Sequence, residues 1–201
     1  MAVDIVYETP GATTDDEAGI AGGWLPGQLS ERGRQDAREL GERRRTDGLN
    51  AIFCSDLPQV VETVEIAFPL RELPVHFDTR LRECDHGRFN GAPVAEIAEL
   101  RLRHLDEPFP HGQSYRQVVE QVAGFLRDIS AAWNGTRVLV VAHASNRWAL
   151  EHLLNGRDLA ELLTAPDGWR PGWSYRLPSD WSRRDFQPAR KQPGRPARGD
   201  R

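Results

Sequence analysis

The sequence has no long apolar run. No stretch approaches the ~20 residues that a membrane-spanning helix needs, so no membrane partner is expected. It opens without the basic and apolar regions of a secretory signal, and it holds only two cysteines, Cys54 and Cys84. Together these features predict a cytoplasmic protein with reduced thiols rather than a disulfide-stapled one. The HxH and HExxH spacings of common metal sites are also missing, so no metal is expected. Lysine is nearly absent: Lys191 is the one lysine among 26 basic residues. That bias resembles GC-rich codon usage and says little about function.

What is present is globular. The chain has 201 residues, 39% of them hydrophobic, enough for one sizeable domain with a buried core and too few for two. Charge is unevenly spread. Residues 178–201 carry seven basic and three acidic residues in a Pro/Arg-rich tail, net +4, and the whole chain is −4. The expectation is a single domain over residues 1–177 followed by a disordered tail. Apart from Trp181 and Phe186 the tail has no aromatics to stack on bases, so nucleic acid is not expected as a partner. A homodimer is left open.

Short apolar runs at Val3–Val6, Ala51–Cys54, Pro74–Phe77, Val138–Val141 and Trp173–Leu177 read as strands. The β-branched run Val138–Val141 carries the signature of a central parallel strand. Helical patterns lie between them. Ser30 is a plausible N-cap for a helix through Arg34–Arg45, Asp56 for one reaching Phe68, and Ser145 or Asn146 for one ending at Gly156. Further helical segments run from Val94 to about His104 and from Ser114 to Trp133, the latter amphipathic. Alternating strands and helices predict an α/β fold, a three-layer α/β/α sandwich with a mainly parallel central sheet. Its site should lie beyond the carboxyl ends of the strands, in the loops after Val6, Cys54, Phe77 and Val141.

Five segments, LSERGRQDAREL (29–40), FCSDLPQVVETVEIA (53–67), LRECDHGRFNG (81–91), GQSY (112–115) and VLVVAHASNRWAL (138–150), resemble the histidine phosphatase superfamily, the fold of phosphoglycerate mutases. The resemblance runs from about residue 3 to 155. It implies phosphoryl transfer through a His in an Arg-His-Gly motif, an anion site built from arginines, a Glu that protonates the leaving oxygen, and no metal or other cofactor.

Here Arg-His-Gly falls on Thr9-Pro10-Gly11, and the arginine expected after the second strand falls on Gln59. The general-acid Glu matches Glu83 and the second His matches His143. With the nucleophile and both matching arginines replaced and Glu8, Asp15 and Asp16 close by, the expectation is that phosphohistidine catalysis has been lost. The chain is then expected to be a repurposed enzyme. Glu83 and His143 would do acid/base chemistry on a small neutral or cationic molecule, lined by Glu8, Thr9, Thr13, Asp16, Gln59 and Arg82. The rivals are an inactive pseudo-phosphatase that binds or regulates, and a phosphatase that uses His143 as a substitute nucleophile. Trp24 is a candidate pocket wall, His86 reads as a partly exposed structural residue, and both cysteines read as buried. Arg82 and Arg147 are the cations expected near the loops.

Overall fold

The protein is described from a computed structural model, which covers residues 2–70, 72–165 and 171–181. In chain order the elements are β1 (Ala2–Glu8), α1 (Thr14–Glu17), β2 (Ile20–Ala21), α2 (Glu31–Arg44), β3 (Ala51–Cys54), α3 (Pro58–Ala67), β4 (Val75–Phe77), β5 (Ala92–Pro93), α4 (Val94–Leu100), α5 (Tyr115–Ala132), β6 (Arg137–Val141), α6 (Ala144–Asn155), α7 (Leu159–Thr164) and β7 (Trp173–Pro178).

Five strands form the central sheet in the order β4-β3-β6-β1-β7. The first four pair in parallel, and β7 closes the edge antiparallel to β1, with Trp173 opposite Tyr7. All four residues of β3 are buried, as are Val138–Val141, because helices cover both faces. On one face Val6, Ile52 and Leu139 pack with Leu40 of α2 and Val60 and Val64 of α3. On the other, Ile5, Phe53 and Val140 pack with Phe125, Leu126 and Ile129 of α5 and Trp148 of α6. The three-layer α/β/α architecture is the expected one. Strand β7 alternates buried and exposed residues, as an edge strand covered on one face does. Trp181 still belongs to the core, so packing extends beyond residue 177. The tail expected to be disordered lies, from residue 182 on, outside the described residues.

The helix caps correct two expectations. Ser30 does cap α2: its hydroxyl accepts from the Gly33 N–H at 3.0 Å and donates to Glu17 at 2.7 Å. Ser30→Ala is expected to lower stability by about 1 kcal/mol, read from the midpoint of urea unfolding. Asp56, however, caps nothing. The N-cap of α3 is Leu57, with Pro58 opening the helix, where a missing N–H costs nothing, and Asp56 is committed to Arg82. In α6 the N-cap position is His143, two or three residues earlier than expected. Gly156 ends that helix with φ 67°, the left-handed conformation glycine tolerates best.

Candidate active site

The loop after β1 is pressed against two helices. The Gly11 N–H donates to Thr63 Oγ1 at 3.1 Å, and a Cβ at Gly11 would stand 2.1 Å from the Gly33 carbonyl oxygen of α2. Only glycine permits that approach. Thr13 then caps the short α1 in a capping box with Asp16, whose carboxylate accepts from Thr13 N and Oγ1 at 2.8 Å each. These contacts place Thr9, Pro10, Thr13 and Asp16 on one side of a cavity of about 830 Å³.

Gln59, Glu83 and His143 line the same cavity, so the structure brings the two expected acid/base groups together. The Tyr7 hydroxyl donates to the His143 carbonyl at 2.5 Å, and the His143 N–H donates to Asn146 Oδ1 at 3.1 Å. Asn146 Nδ2 in turn donates to the Arg82 carbonyl at 3.1 Å, and the Cys84 N–H donates to Ser145 Oγ at 3.1 Å. The start of α6 therefore holds the segment carrying Glu83, whose carboxylate accepts from the Cys84 N–H at 2.8 Å. His143 Nε2 lies 3.2 Å from Ser55 Oγ. When Nε2 carries the proton and donates it to Ser55, the other ring nitrogen keeps its lone pair. Burial pushes the His143 pKa down, against the opposing charges of Glu83 and Asp16, which keeps the imidazole neutral near pH 7.

Three expected positions are corrected. Glu8 does not line the cavity. It is buried, clasped by Arg44 Nη2 and Nε at 2.6 and 2.8 Å and by Arg43 at 3.4 Å. Arg82 does not line it either: its guanidinium forks Asp56 at 2.7 and 2.5 Å and stacks 4.8 Å from the Trp24 ring. Trp24 is no pocket wall, because its indole N–H donates to the Glu83 carbonyl at 2.6 Å and supports the acid's segment from behind. Arg147 stacks 4.9 Å from the Trp173 ring of the edge strand.

The cations expected near the loops are thus engaged elsewhere, and others stand in the wall. Arg32 of α2 and Arg101, just beyond α4, line the cavity with Tyr115 and Trp148. Arg101 lies 4.7 Å over the Trp148 ring. Sequence reasoning missed Arg32 and Arg101 because neither follows a strand; only the GQSY segment pointed toward Tyr115. His86 is buried rather than partly exposed and also lines the cavity, with its ring 3.5 Å from the Tyr115 hydroxyl.

The thiols of Cys54 and Cys84 are buried, with their pKa values pushed up, that of Cys54 to about 12. Neither is suited to act as a thiolate nucleophile.

Burial lowers the pKa of His86, His143 and His152. The unfolded chain then binds more protons than the folded one below the ordinary value of ~6.5. Stability should therefore fall as the pH drops from 7 toward 5. Below ~4 a further loss is expected as Asp56 and Asp78, held low by Arg82 and Arg80, become protonated,. Urea midpoints measured from about pH 2 to 8 check this; a flat profile between 5 and 7 would contradict it.

The sequence profile described as "Histidine phosphatase superfamily (branch 1)" matches residues 11–166. The chain belongs to this family. It is 32% identical over 148 residues to phosphoserine phosphatase 1 of Hydrogenobacter thermophilus, covering 69% of this chain and 70% of that one. It is also 32% identical over 123 residues to a probable phosphoglycerate mutase of Salmonella arizonae, covering 57% of each chain. Among solved structures it resembles a mycobacterial glucosyl-3-phosphoglycerate phosphatase in complex with VO3, with TM-score 0.70, 26% identity and coverage of 82% of this chain and 87% of that one.

These relatives are enzymes, which supports an enzyme here. They overturn the expectation that phosphoryl transfer has been lost, and with it the neutral or cationic substrate and the inactive scaffold. Relatives named as phosphatases and a mutase point to phosphatase or mutase activity, not to its loss. The physical flaw in that expectation was to count only arginines in the strand loops, whereas Arg32 and Arg101 enter the cavity from helical segments. Among the described residues no helix is long and apolar enough to cross a membrane.

Proposed function

We propose that this chain hydrolyses a phosphate monoester, with His143 accepting the phosphoryl group and Glu83 protonating the leaving oxygen. The observation that carries the reading is that a buried, neutral imidazole and a carboxyl group face one cavity in a family whose named relatives act on phosphate esters. Pro10 has no nucleophilic atom. The nucleophile must come from another element, and His143 sits at the carboxyl end of β6, where this architecture exposes its loops.

In the first step the lone-pair nitrogen of His143 bonds to phosphorus as the P–O bond to the alcohol breaks, and the Glu83 carboxyl proton goes to the departing oxygen. In the second, water attacks phosphorus and gives a proton to the Glu83 carboxylate. The P–N bond breaks, and phosphate and neutral His143 are released. Arg32 and Arg101 in the wall and the positive end of α6 offset the substrate's charge.

The test is turnover of a chromogenic phosphate ester, with rapid quench in alkali to preserve a P–N bond. Release of the chromophore together with an acid-labile, alkali-stable phosphoprotein is the expected result. No turnover with any monoester would sink the reading.

A further inference from the structure

We infer that Gln59 makes this site select the singly protonated form of its phosphate ester. The inference rests on the phosphomonoester reading above. Gln59 stands in the first turn of α3, is 7% exposed, and lines the cavity. Its Oε1 is buried and has no hydrogen-bond partner. An unmet buried carbonyl oxygen costs about 1–3 kcal/mol, so a ligand that donates a hydrogen bond there is favoured.

A fully ionised phosphoryl group has only acceptor oxygens, and its lone pairs would face that of Gln59 Oε1. The singly protonated group carries one P–OH, which can donate to it, and half the charge.

The charged and titratable groups that share the cavity with Gln59 are Asp15, Asp16 and Glu17 from α1; Arg32, Asp36 and Glu39 from α2; Glu83 and His86 from the segment after β4; Arg101; Tyr115 from α5; and His143. They do not act equally on the reacting end. The charges that bear on His143 are those of Glu83 and Asp16. Asp16 already accepts from both donors of Thr13, and so it gives the phosphoryl group no donor. Around the proposed nucleophile Gln59 Oε1 and the Asp16 carboxylate therefore offer acceptors. A phosphoryl group that has given up its last proton has none to share with them.

The experiment is calorimetric titration of the whole chain with an alkylphosphonate, which cannot be hydrolysed at phosphorus–carbon, from pH 5 to a pH well above its second pKa. The monomethyl ester of the same phosphonate, singly charged throughout, reports the part of the pH dependence that comes from the protein. The ratio of the two dissociation constants is expected to change about tenfold per pH unit above the phosphonate's second pKa, against the phosphonate. Gln59→Arg should flatten or reverse that slope, and Gln59→Met, which removes the acceptor at similar size, should weaken it. A ratio independent of pH in the wild type, or a slope unchanged in both variants, would overturn the inference while leaving phosphoester binding intact. If neither ligand binds the folded wild type at any pH, the phosphomonoester reading fails and the inference falls with it.

Discussion

Replacing His143 by alanine is expected to lower kcat/KM for a phosphate monoester by about 10³-fold or more, because the P–N bond then has no nitrogen to form on. The effect should fall on kcat. Arg32, Arg101 and Trp148 line the cavity independently of the imidazole, so the substrate binding proposed for them should survive. Stability offers the control. His143 is 7% exposed, and its main-chain bonds to Tyr7 and Asn146 survive truncation. The variant should fold, with a smaller loss of stability between pH 7 and 5 than the wild type, since one buried group no longer resists protonation. Ser55→Ala separates positioning from chemistry. It removes the hydroxyl 3.2 Å from Nε2 but leaves the imidazole, so kcat should fall less than in His143→Ala. The acid limb of the pH profile should also move, because the partner of Nε2 is gone. An His143→Ala protein that is folded and turns over at the wild-type rate would remove His143 from the mechanism.

The two pH-sensitive features act in opposite directions. Above its lowered pKa, His143 keeps its lone pair. If the ester must carry a proton for Gln59, activity declines once the pH passes ~6, the second ionisation of a phosphate ester. The product is a bell with an optimum on the acid side of neutrality. A plateau through pH 8 would be incompatible with that combination.

What could be read from the sequence follows from which forces are local. Ala51–Cys54 and Val138–Val141 announce buried parallel strands because both faces of such strands are covered and nearly every residue must be apolar. Ser30 and Gly156 announce helix ends because capping is decided by single residues. The pairing of β2 with β5, each two residues long, has no periodicity to detect, and a four-residue helix such as α1 is marked only by its capping box. The direction of β7 depends on where the chain crosses the sheet, which no strand pattern encodes. The site divides in the same way. Thr9, Thr13, Asp16, Gln59, Glu83 and His143 lie in segments after strands and line the cavity; all but Thr13 are singled out by the resemblance to the family's motifs. Arg32 and Arg101 reach the cavity through the packing of helical segments. Glu8 and Arg82 have the charges of site residues and stand next to them in sequence, yet partners distant in the chain, Arg44 and Asp56, take those charges. Charge and adjacency alone cannot separate a ligand contact from an ion pair.

Glu83→Gln is expected to separate substrates by their leaving groups. A general acid contributes about 10²–10⁴-fold, and most where the departing oxygen is basic. An alkyl phosphate should therefore lose about that factor in kcat/KM, while a nitrophenyl phosphate, whose leaving oxygen needs little help, should lose far less in the step that breaks its P–O bond. The substitution preserves the local frame. The amide oxygen can still accept from the Cys84 N–H, and the main-chain carbonyl that receives the Trp24 indole is untouched. With the nitrophenyl ester the second step is exposed instead, because the water that attacks phosphorus no longer has a carboxylate to take its proton. The phosphorylated protein should accumulate, giving a burst of one equivalent of nitrophenol followed by slow turnover. An equal loss for both esters without a burst would mean that Glu83 acts by holding the segment between Arg82 and Cys84 against α6 rather than by moving a proton. In that case Asn146→Ala, which removes the bond to the Arg82 carbonyl, should reproduce the whole effect.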